Sequence, residues 1–335
     1  MQAVVVAGGL GTRLRPLTLT RPKALIPLVN KPQIVHTLER LPTAVDEVFV
    51  AVNYMFEAVR SFLASFDAGR TVVPVEEPTP LGTGGAVANV AARIRGRFLV
   101  YNGDIVDGLD GAALLQRHAD DGAIATVALH EVDDPSPFGV AGLEGDRIVR
   151  FVEKPHAADA PSRWVNAGRY VFEPTVLDFI PRGREVSLER EVFPALVPKG
   201  LRAFRFADYW CDAGTLEGYL RASATLLAVQ GKRIAPDADL RSAEVEPPVD
   251  VASGTRARGR IGPNAVLGPG CRVRGADVRE SALFARVVVE SGATIEQSVL
   301  GDDVTVGRGA FLRNAVVGDG VVVPDAARLD GVRLP

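Results

Sequence analysis

Glycines and cationic residues are concentrated near the amino terminus in a pattern suited to holding phosphate. An apolar run, Val4–Ala7, leads directly into the glycine-rich stretch Gly8–Leu14. Because glycine has no Cβ, backbone N–H groups can approach phosphate oxygens closely there. From Met1 to Leu38 the chain contains no Asp or Glu, whereas five cationic residues are present: Arg13, Arg15, Arg21, Lys23 and Lys31. This segment is predicted to bind an anion.

Two common phosphate-binding patterns do not fit the stretch. No Gly-Lys-Ser/Thr follows it, so it is not a Walker loop. The final glycine of the dinucleotide-binding pattern is also missing. By itself, a glycine-rich turn after a strand is also compatible with a simple tight turn.

Two carboxylates stand in motifs that suit metal or substrate binding. Asp104 ends Asn102-Gly103-Asp104, directly after the apolar run Phe98–Tyr101, and Asp212 lies in Trp210-Cys211-Asp212-x-Gly214-Thr215. The carboxyl ends of strands in an α/β sheet are where such folds bind ligands. The alternative is that either Asp caps a turn. Cys211 is interpreted as a small buried residue, since no His is near it in sequence.

Further along, Glu153-Lys154-Pro155 and Val165-Asn166-Ala167-Gly168 place polar groups in a region of expected strands. Taken alone, the Glu153–Lys154 pair is equally compatible with a surface ion pair, which contributes little to stability.

The long pattern Gly8-Gly9-x-Gly11-Thr12-Arg13-Leu14-x-Pro16-x-Thr18, followed by Arg21-Pro22-Lys23, resembles the sugar-1-phosphate nucleotidyltransferases. The resemblance implies a nucleotide triphosphate held by the backbone at Gly8, Gly9, Gly11 and Thr12. It also implies catalytic roles for Arg13 and Lys23 on the phosphates. Charge compensation on the departing pyrophosphate is what such a transfer needs. Ala24 departs from the pattern, because many relatives have proline there.

The resemblance assigns the remaining polar residues as well. It implies that Asp104 and Asp212 hold Mg²⁺, a metal that prefers hard oxygen ligands. It further implies that Lys154 binds the phosphate of the sugar phosphate, that Glu153 contacts sugar hydroxyls, and that Asn166 faces the sugar.

Three segments are similar to one branch, the mannose-1-phosphate guanylyltransferases: Pro80–Ala86, Ile180–Ser187 and Leu188–Leu196. The first corresponds to the nucleobase loop, where Gly82 and Thr83 would meet the base edge. The implied reaction joins GTP and mannose 1-phosphate to give GDP-mannose. Thymidylyl- or uridylyltransfer to glucose 1-phosphate is the alternative, although the loop lacks the Gln that those enzymes more often carry.

Two functions of other classes are weighed against this one. A non-catalytic regulatory paralogue would be expected to lose phosphate or metal residues, whereas Arg13, Lys23, Asp104 and Asp212 are present. Acyl transfer by the carboxy-terminal repeats is disfavoured because such enzymes generally use a histidine base. All four histidines lie outside the repeats: His36, His118, His130 and His156.

The elements that must position these residues fall into two regions. Short apolar strands alternate with amphipathic helices over residues 1–232, which predicts an α/β domain, Rossmann-like with a mixed sheet. Strands are expected at Gln2–Ala7, Glu47–Asn53, Thr71–Val75 and Arg97–Tyr101, with later ones at Ala123–Val132, Gly139–Phe151 and Arg169–Phe172. Helices are expected at Ile34–Leu41, Phe56–Phe66 and Gly84–Ile94.

Beyond a proline-containing stretch predicted to be a linker, 233–260, apolar residues recur about every six positions over 261–335. Turn-forming glycines follow several of them. This near-six period predicts a left-handed parallel β-helix, whose exposed strand edges favour assembly into a homo-oligomer.

Composition restricts the remaining possibilities. A net charge of −3 argues against non-specific nucleic-acid binding, and no apolar run is long enough to span a bilayer. Two cysteines give neither a disulfide framework nor a metal-ligand spacing, which favours a cytoplasmic location.

Overall fold

The computed structural model describes residues 1–335 and divides them into two compact units. The first comprises Met1–Gly9 with Ile34–Trp210, and the second comprises Leu10–Gln33 with Cys211–Pro335. The segment that carries Arg13 and Lys23 therefore belongs to the same unit as the carboxy-terminal repeats. No helix is both long and apolar enough to cross a membrane.

The first unit is built on a nine-stranded mixed sheet. In spatial order its strands are Thr71–Glu76, Glu47–Val52, Gln2–Val6, Phe98–Asn102, Trp164–Phe172, Ala125–Glu131, Arg202–Phe206, Arg147–Glu153 and Gly139–Glu144. The first four are parallel, and Trp164–Phe172 runs antiparallel to Phe98–Asn102. This sheet confirms the predicted α/β class and its mixed character.

Helices and short strands complete this unit and the start of the next. The α-helices are Gln33–Arg40, Phe56–Ser65, Gly82–Asn89, Gly111–Asp121, Phe193–Leu196 and Leu216–Gln230, and Leu188–Val192 is a π-helix. The 3-10 turns are Thr12–Leu14, Leu17–Leu19, Lys23–Leu25, Ala91–Arg93, Ala157–Asp159, Pro174–Phe179 and Val197–Lys199, and the shortest strands are Pro27–Leu28, Lys31–Pro32, Ile105–Asp107 and Trp210–Asp212.

One predicted strand is divided in two. The run Gly139–Phe151 forms a hairpin of Gly139–Glu144 and Arg147–Glu153, which pair antiparallel. Gly145 adopts a left-handed backbone conformation (φ 62°) in the turn between them. A glycine at such a position turns the chain without steric penalty, which an apolar pattern alone does not reveal.

The second unit contains a parallel β-helix. Its strands are Lys232–Ile234, Asp239–Val245, Val249–Val251, Arg256–Ile261, Ala265–Leu267, Arg272–Arg279, Ala282–Leu283, Val288–Val289, Thr294–Glu296, Val299–Leu300, Thr305–Val306, Phe311–Arg313, Val316–Val317, Val322–Val323, Arg328–Asp330 and Arg333–Leu334. Successive coils repeat every 17 residues in the regular part, close to three times the predicted period. Leu283, Leu300 and Val317 accordingly stack in register within its core.

The stretch predicted to be a linker is part of this β-helix. Lys232–Ile234 pairs in parallel with Val249–Val251, and Arg256–Ile261 pairs with Arg272–Arg279. The β-helix therefore begins near Lys232 and not at Ile261. Its first coils place Arg233 and Arg256 in the stacking columns that carry Val266 and Val288 in later coils, and these charged positions hide the period in the sequence.

Candidate active site

Gly11 shapes the turn that carries the predicted phosphate ligands. It adopts a left-handed conformation (φ 61°), and the Thr18 hydroxyl donates a hydrogen bond to its carbonyl oxygen at 3.0 Å. A Cβ added at Gly11 would lie 2.7 Å from Thr18 Cγ2 and 3.1 Å from Lys23 Cβ. Only glycine fits there. The short 3-10 turns that follow carry Arg13, which is exposed, and Lys23, which is buried.

Three of the predicted functional groups converge on Gly214. A Cβ built at Gly214 would lie 2.7 Å from Asp212 Oδ1, 2.8 Å from Arg13 Nη2 and 3.0 Å from Lys23 Nζ. The Gly214 N–H also donates to Asp212 Oδ1 at 2.7 Å, which fixes that carboxylate. Two cations and one carboxylate therefore border one small space. The two cationic side chains suit phosphate oxygens, and the carboxylate suits a metal ion that also binds those oxygens.

In the first unit, the chain around Asp104 leaves the sheet beside the turn Ala7–Gly9. Val6 and Asn102 are register partners on adjacent parallel strands, and the Gly103 N–H donates to the Val6 carbonyl at 2.9 Å. A Cβ at Gly103 would come within 3.1 Å of the same oxygen. The turn carrying Asp104 and the turn Ala7–Gly9 therefore leave the carboxyl edge of the sheet side by side, as expected of a ligand-binding edge.

A residue that the sequence reasoning missed, Arg169, holds the Asp104 turn. Its guanidinium donates to the carbonyls of Asn102 at 2.7 Å and Ile105 at 2.9 Å, which flank Asp104 on either side. It also pairs with Asp107 at 2.8 Å, both side chains being at most 2% exposed, and lies 4.5 Å from the Tyr101 ring centroid. Such a buried charge needs its partners. Lone arginines carry no sequence signal for this role.

The predicted nucleobase residues open the helix Gly82–Asn89. Gly82 has φ 70°, and a Cβ there would lie 2.6 Å from the Val186 carbonyl oxygen. The Thr83 hydroxyl donates to Glu189 Oε2 at 2.7 Å and accepts from the Leu188 N–H at 2.9 Å. This hydroxyl therefore joins two chain segments.

Glu189 is a second residue that was not predicted as a site residue. It accepts hydrogen bonds from Thr83 and from the Ser187 hydroxyl at 2.8 Å. Burial raises the pKa of the Glu153 carboxyl above its ordinary value, and the charge of Glu189 adds to this effect. The predicted base loop and the predicted sugar residue Glu153 are thus electrostatically linked through Glu189.

The other predicted sugar-phosphate residues lie in the same unit. Lys154 has a left-handed backbone (φ 50°); its side chain is 58% exposed, and its Nζ lies 3.8 Å from Glu153 Oε1. Because this separation is longer than a hydrogen bond, the ammonium group can bind a ligand without breaking a hydrogen bond to Glu153. Asn166 is oriented by its amide, which donates to the Tyr170 hydroxyl at 2.9 Å and accepts from the Gly168 N–H at 3.0 Å.

The donor set fits magnesium held jointly with substrate. No group of three or more His, Cys, Asp or Glu side chains is placed to hold a metal ion. Mg²⁺ in phosphoryl-transfer sites is commonly bound by one or two carboxylates, with phosphate oxygens and water completing its shell. Asp104 and Asp212 each carry a carboxylate of the kind that such a site uses. Burial raises the pKa of the Cys211 thiol, which agrees with its interpretation as a buried structural residue.

Comparison with known proteins adds independent information. The family model "Nucleotidyl transferase" matches residues 2–229, and the model "GlmU-like, C-terminal hexapeptide" matches residues 247–331. The chain is 42% identical over 311 residues to a mannose-1-phosphate guanylyltransferase of Mycobacterium tuberculosis, covering 87% of this chain and 82% of the relative.

Relatives from other kingdoms carry similar names. A probable mannose-1-phosphate guanylyltransferase of Oryza sativa is 36% identical, over 83% of this chain and 76% of its own. A mannose-1-phosphate guanyltransferase of Schizosaccharomyces pombe is 36% identical, over 81% and 74%. A crystal structure of a putative glucose-1-phosphate thymidylyltransferase from Bacillus anthracis superimposes with a TM-score of 0.61 at 25% identity, covering 66% of this chain and 93% of that one.

Proposed function

Because the chain belongs to the nucleotidyl transferase family, we propose that it transfers GMP from GTP to mannose 1-phosphate, forming GDP-mannose and releasing pyrophosphate. The observation that carries this proposal is the convergence of Arg13, Lys23 and Asp212 on the space beside Gly214. A non-catalytic paralogue would have no need to keep two cations and a carboxylate on one point.

In the proposed reaction an oxygen of the sugar phosphate attacks the α-phosphorus of the nucleotide. The bond from that phosphorus to the bridging oxygen breaks, and pyrophosphate leaves with the electron pair. Arg13 and Lys23 compensate the charge on the departing group, while the backbone at Gly8, Gly9, Gly11 and Thr12 cradles the phosphates. No proton acceptor is required, because the attacking phosphate oxygen is already ionised.

Asp104 and Asp212 are the proposed ligands of Mg²⁺, which when bound would neutralise phosphate charge and orient the phosphates. Arg169 would keep the Asp104 turn in place, and the Gly214 N–H would orient Asp212. These hydrogen bonds fix the carboxylates before substrate arrives, which lowers the cost of ordering the site.

Gly82 and Thr83 are proposed to meet the guanine edge, and Lys154, Glu153 and Asn166 the sugar phosphate. The exposed ammonium of Lys154 suits a phosphate monoester. The buried carboxyl of Glu153 and the oriented amide of Asn166 suit sugar hydroxyls. We assign the catalytic domain to residues 1–232 and expect a cytoplasmic homo-oligomer, in agreement with two free cysteines.

The test is a matrix of nucleoside triphosphates against sugar 1-phosphates, scored by pyrophosphate release. GTP with mannose 1-phosphate should give the highest kcat/KM. Each polar group left unpaired by a wrong base costs about 1–3 kcal/mol, or roughly one to two decades in kcat/KM. If dTTP or UTP with glucose 1-phosphate gave the highest value, only the broader nucleotidyltransferase activity would remain. Absence of turnover with every pair would favour the regulatory paralogue.

A further inference from the structure

We propose that two carboxylates of the β-helix, Asp302 and Asp319, hold Arg21 and thereby position the segment that carries Arg13 and Lys23. These two residues are named here the carboxylate clamp. The proposal rests on the proposed function for its kinetic part, and it assigns the β-helix a part in the reaction.

The contacts are direct. Arg21 Nη2 lies 2.8 Å from Asp319 Oδ2 and 3.0 Å from Asp302 Oδ2, and the three side chains are 18–24% exposed. The neighbouring Thr20 hydroxyl donates to the same Asp319 oxygen at 2.7 Å. Arg21 also packs over the Phe284 ring, 5.4 Å from its centroid. Arg21 therefore binds the β-helix, whereas its position in a basic glycine-rich segment suggested that it would bind an anion.

The clamp is preorganised by the β-helix itself. Asp302 Oδ1 accepts from the Ala285 N–H at 2.9 Å, and Asp319 Oδ1 accepts from the Asp302 N–H at 2.7 Å. Each carboxylate thus uses one oxygen to fix a corner between coils and presents the other to Arg21, and Asp302 Oδ2 also lies 3.8 Å from Arg286 Nη2. Burial opposes ionisation of Asp319, but hydrogen bonds from Thr20 and Arg21 hold its pKa below the ordinary value.

The clamp acts on a short and constrained stretch of chain. Only Pro22, whose φ is fixed by its ring, separates Arg21 from Lys23. Further along the same segment, Asn30 donates to Asp250 Oδ1 at 3.1 Å and to the Leu267 carbonyl at 3.2 Å, both in the first coils. The β-helix therefore holds this segment at two points around Lys23. A shift of about 1 Å in a charged group is enough to cost substantial rate.

The experiment compares the double variant Asp302→Asn/Asp319→Asn with the control Asp325→Asn. Asparagine can keep the Oδ1 acceptor, but it replaces the charged oxygen that faces Arg21 with an amide group that cannot accept a hydrogen bond. Asp325 occupies an equivalent corner, where its Oδ1 accepts from the Arg308 N–H at 2.7 Å, and it has no contact with Arg21. Asp325→Asn therefore measures the effect of the same substitution at a coil corner that does not contact Arg21.

With the best substrate pair from the matrix, the double variant should lose at least about tenfold in kcat while KM for the sugar phosphate changes less than about twofold. Hydrogen exchange in peptides covering residues 13–25 should become faster, and the control should match wild type in both measurements. Arg21→Lys should retain more activity than Arg21→Gln, because it keeps a charge for the clamp.

Hydrogen exchange needs no substrate, so it tests the clamp even if the proposed function fails. Unchanged exchange over residues 13–25 in the double variant would overturn the clamp, as would a wild-type kcat. A loss of kcat equal to that of Asp325→Asn would overturn it too, because the effect would then belong to any coil corner.

Discussion

At the scale of single residues, Gly214 is the position where an added side chain would meet three predicted functional groups at once. Any side chain there would lie within about 3 Å of Arg13, Lys23 and Asp212 together. We expect Gly214→Ala to lower kcat at least about tenfold, because a Cβ must displace the very groups that face the phosphates. Thermal unfolding should change little by comparison. Steady-state kinetics with the best substrate pair checks this, and Gly96→Ala, whose added Cβ meets nothing within 4 Å, tests the cost of losing a glycine elsewhere. Wild-type kcat in Gly214→Ala would contradict the convergence.

A second residue-scale prediction concerns Glu77, a buried carboxyl behind the glycine turn. One of its oxygens accepts from the Leu81 N–H at 3.2 Å, and the other has no hydrogen-bond partner and would lie 2.9 Å from a Cβ at Gly8. Burial raises its pKa above the ordinary 4.5. Between 4.5 and that raised value, the folded state binds more protons than the unfolded one. The contribution of Glu77 to the free energy of unfolding therefore falls as pH rises through this window.

Glu77→Gln should remove that fall, so the variant should gain stability relative to wild type on going from about pH 4.5 to pH 8. Urea unfolding at several pH values measures the difference. The neighbouring Glu76 is exposed, and Glu76→Gln is the matched control, expected to follow wild type. A pH dependence in Glu77→Gln that parallels wild type would show that burial does not perturb this carboxyl.

Single residues also show which parts of the candidate site could be predicted from the sequence. Two separate motifs singled out Arg13 with Lys23 and Asp212, and the structure brings the three side chains to one point. Arg169, Glu189 and the clamp stayed unpredicted because their roles depend on partners distant in sequence: Arg169 acts on Asn102 and Ile105, and Arg21 acts on Asp302 and Asp319. Local patterns carry no information about such pairings.

At the scale of elements, the sheet strands were predictable and the first coils of the β-helix were not. Within the strands Gln2–Val6 and Phe98–Asn102, the segments Ala3–Val5 and Phe98–Tyr101 are continuous apolar runs buried on both faces, as parallel strands require. In Arg256–Ile261, by contrast, arginines alternate with Ala257 and Gly259, and only Ala257 and Ile261 are buried. Pairing with Arg272–Arg279 makes this segment a strand, and periodicity alone could not show it.

The buried serines of the β-helix give an element-scale prediction. Ser298 accepts from the Ala315 N–H at 3.0 Å and donates to the Glu296 carbonyl at 2.7 Å, and its own N–H donates to Ser281 Oγ at 3.1 Å. Ser298→Ala leaves the Ala315 N–H without a partner in a dry interior, at a cost of about 1–3 kcal/mol. The exposed Ser291 provides the control Ser291→Ala. Chemical denaturation should show a lower free energy of unfolding for Ser298→Ala than for Ser291→Ala. Equal midpoints for the two variants would show that the buried Ser298 hydroxyl does not stabilise the β-helix.

At the scale of the whole molecule, the last described coil of the β-helix presents strand edges that could pair with other molecules. The three terminal strands, Val322–Val323, Arg328–Asp330 and Arg333–Leu334, each have a strand neighbour on one side only. Unpaired edges of this kind recruit strands from other molecules unless charge blocks them. Arg328 follows Phe311 and Arg333 follows Val316 in the stacking register, so cations replace apolar residues on the last coil.

We therefore expect Arg328→Val/Arg333→Val to form larger assemblies than the wild-type protein does. Both substitutions remove an exposed charge and add a residue that favours strands, so the edge becomes flat, apolar and free to pair. Light scattering over a range of concentrations should give a mass that grows with concentration, measured against the 35.6 kDa of one chain. Arg308→Val is the control, since Arg308 is an exposed arginine whose coil is already covered by the next. If the double variant kept the wild-type mass at every concentration while remaining folded, the charges on the last coil would not be what limits growth. The backbone geometry of the terminal coil would then have to prevent pairing without them.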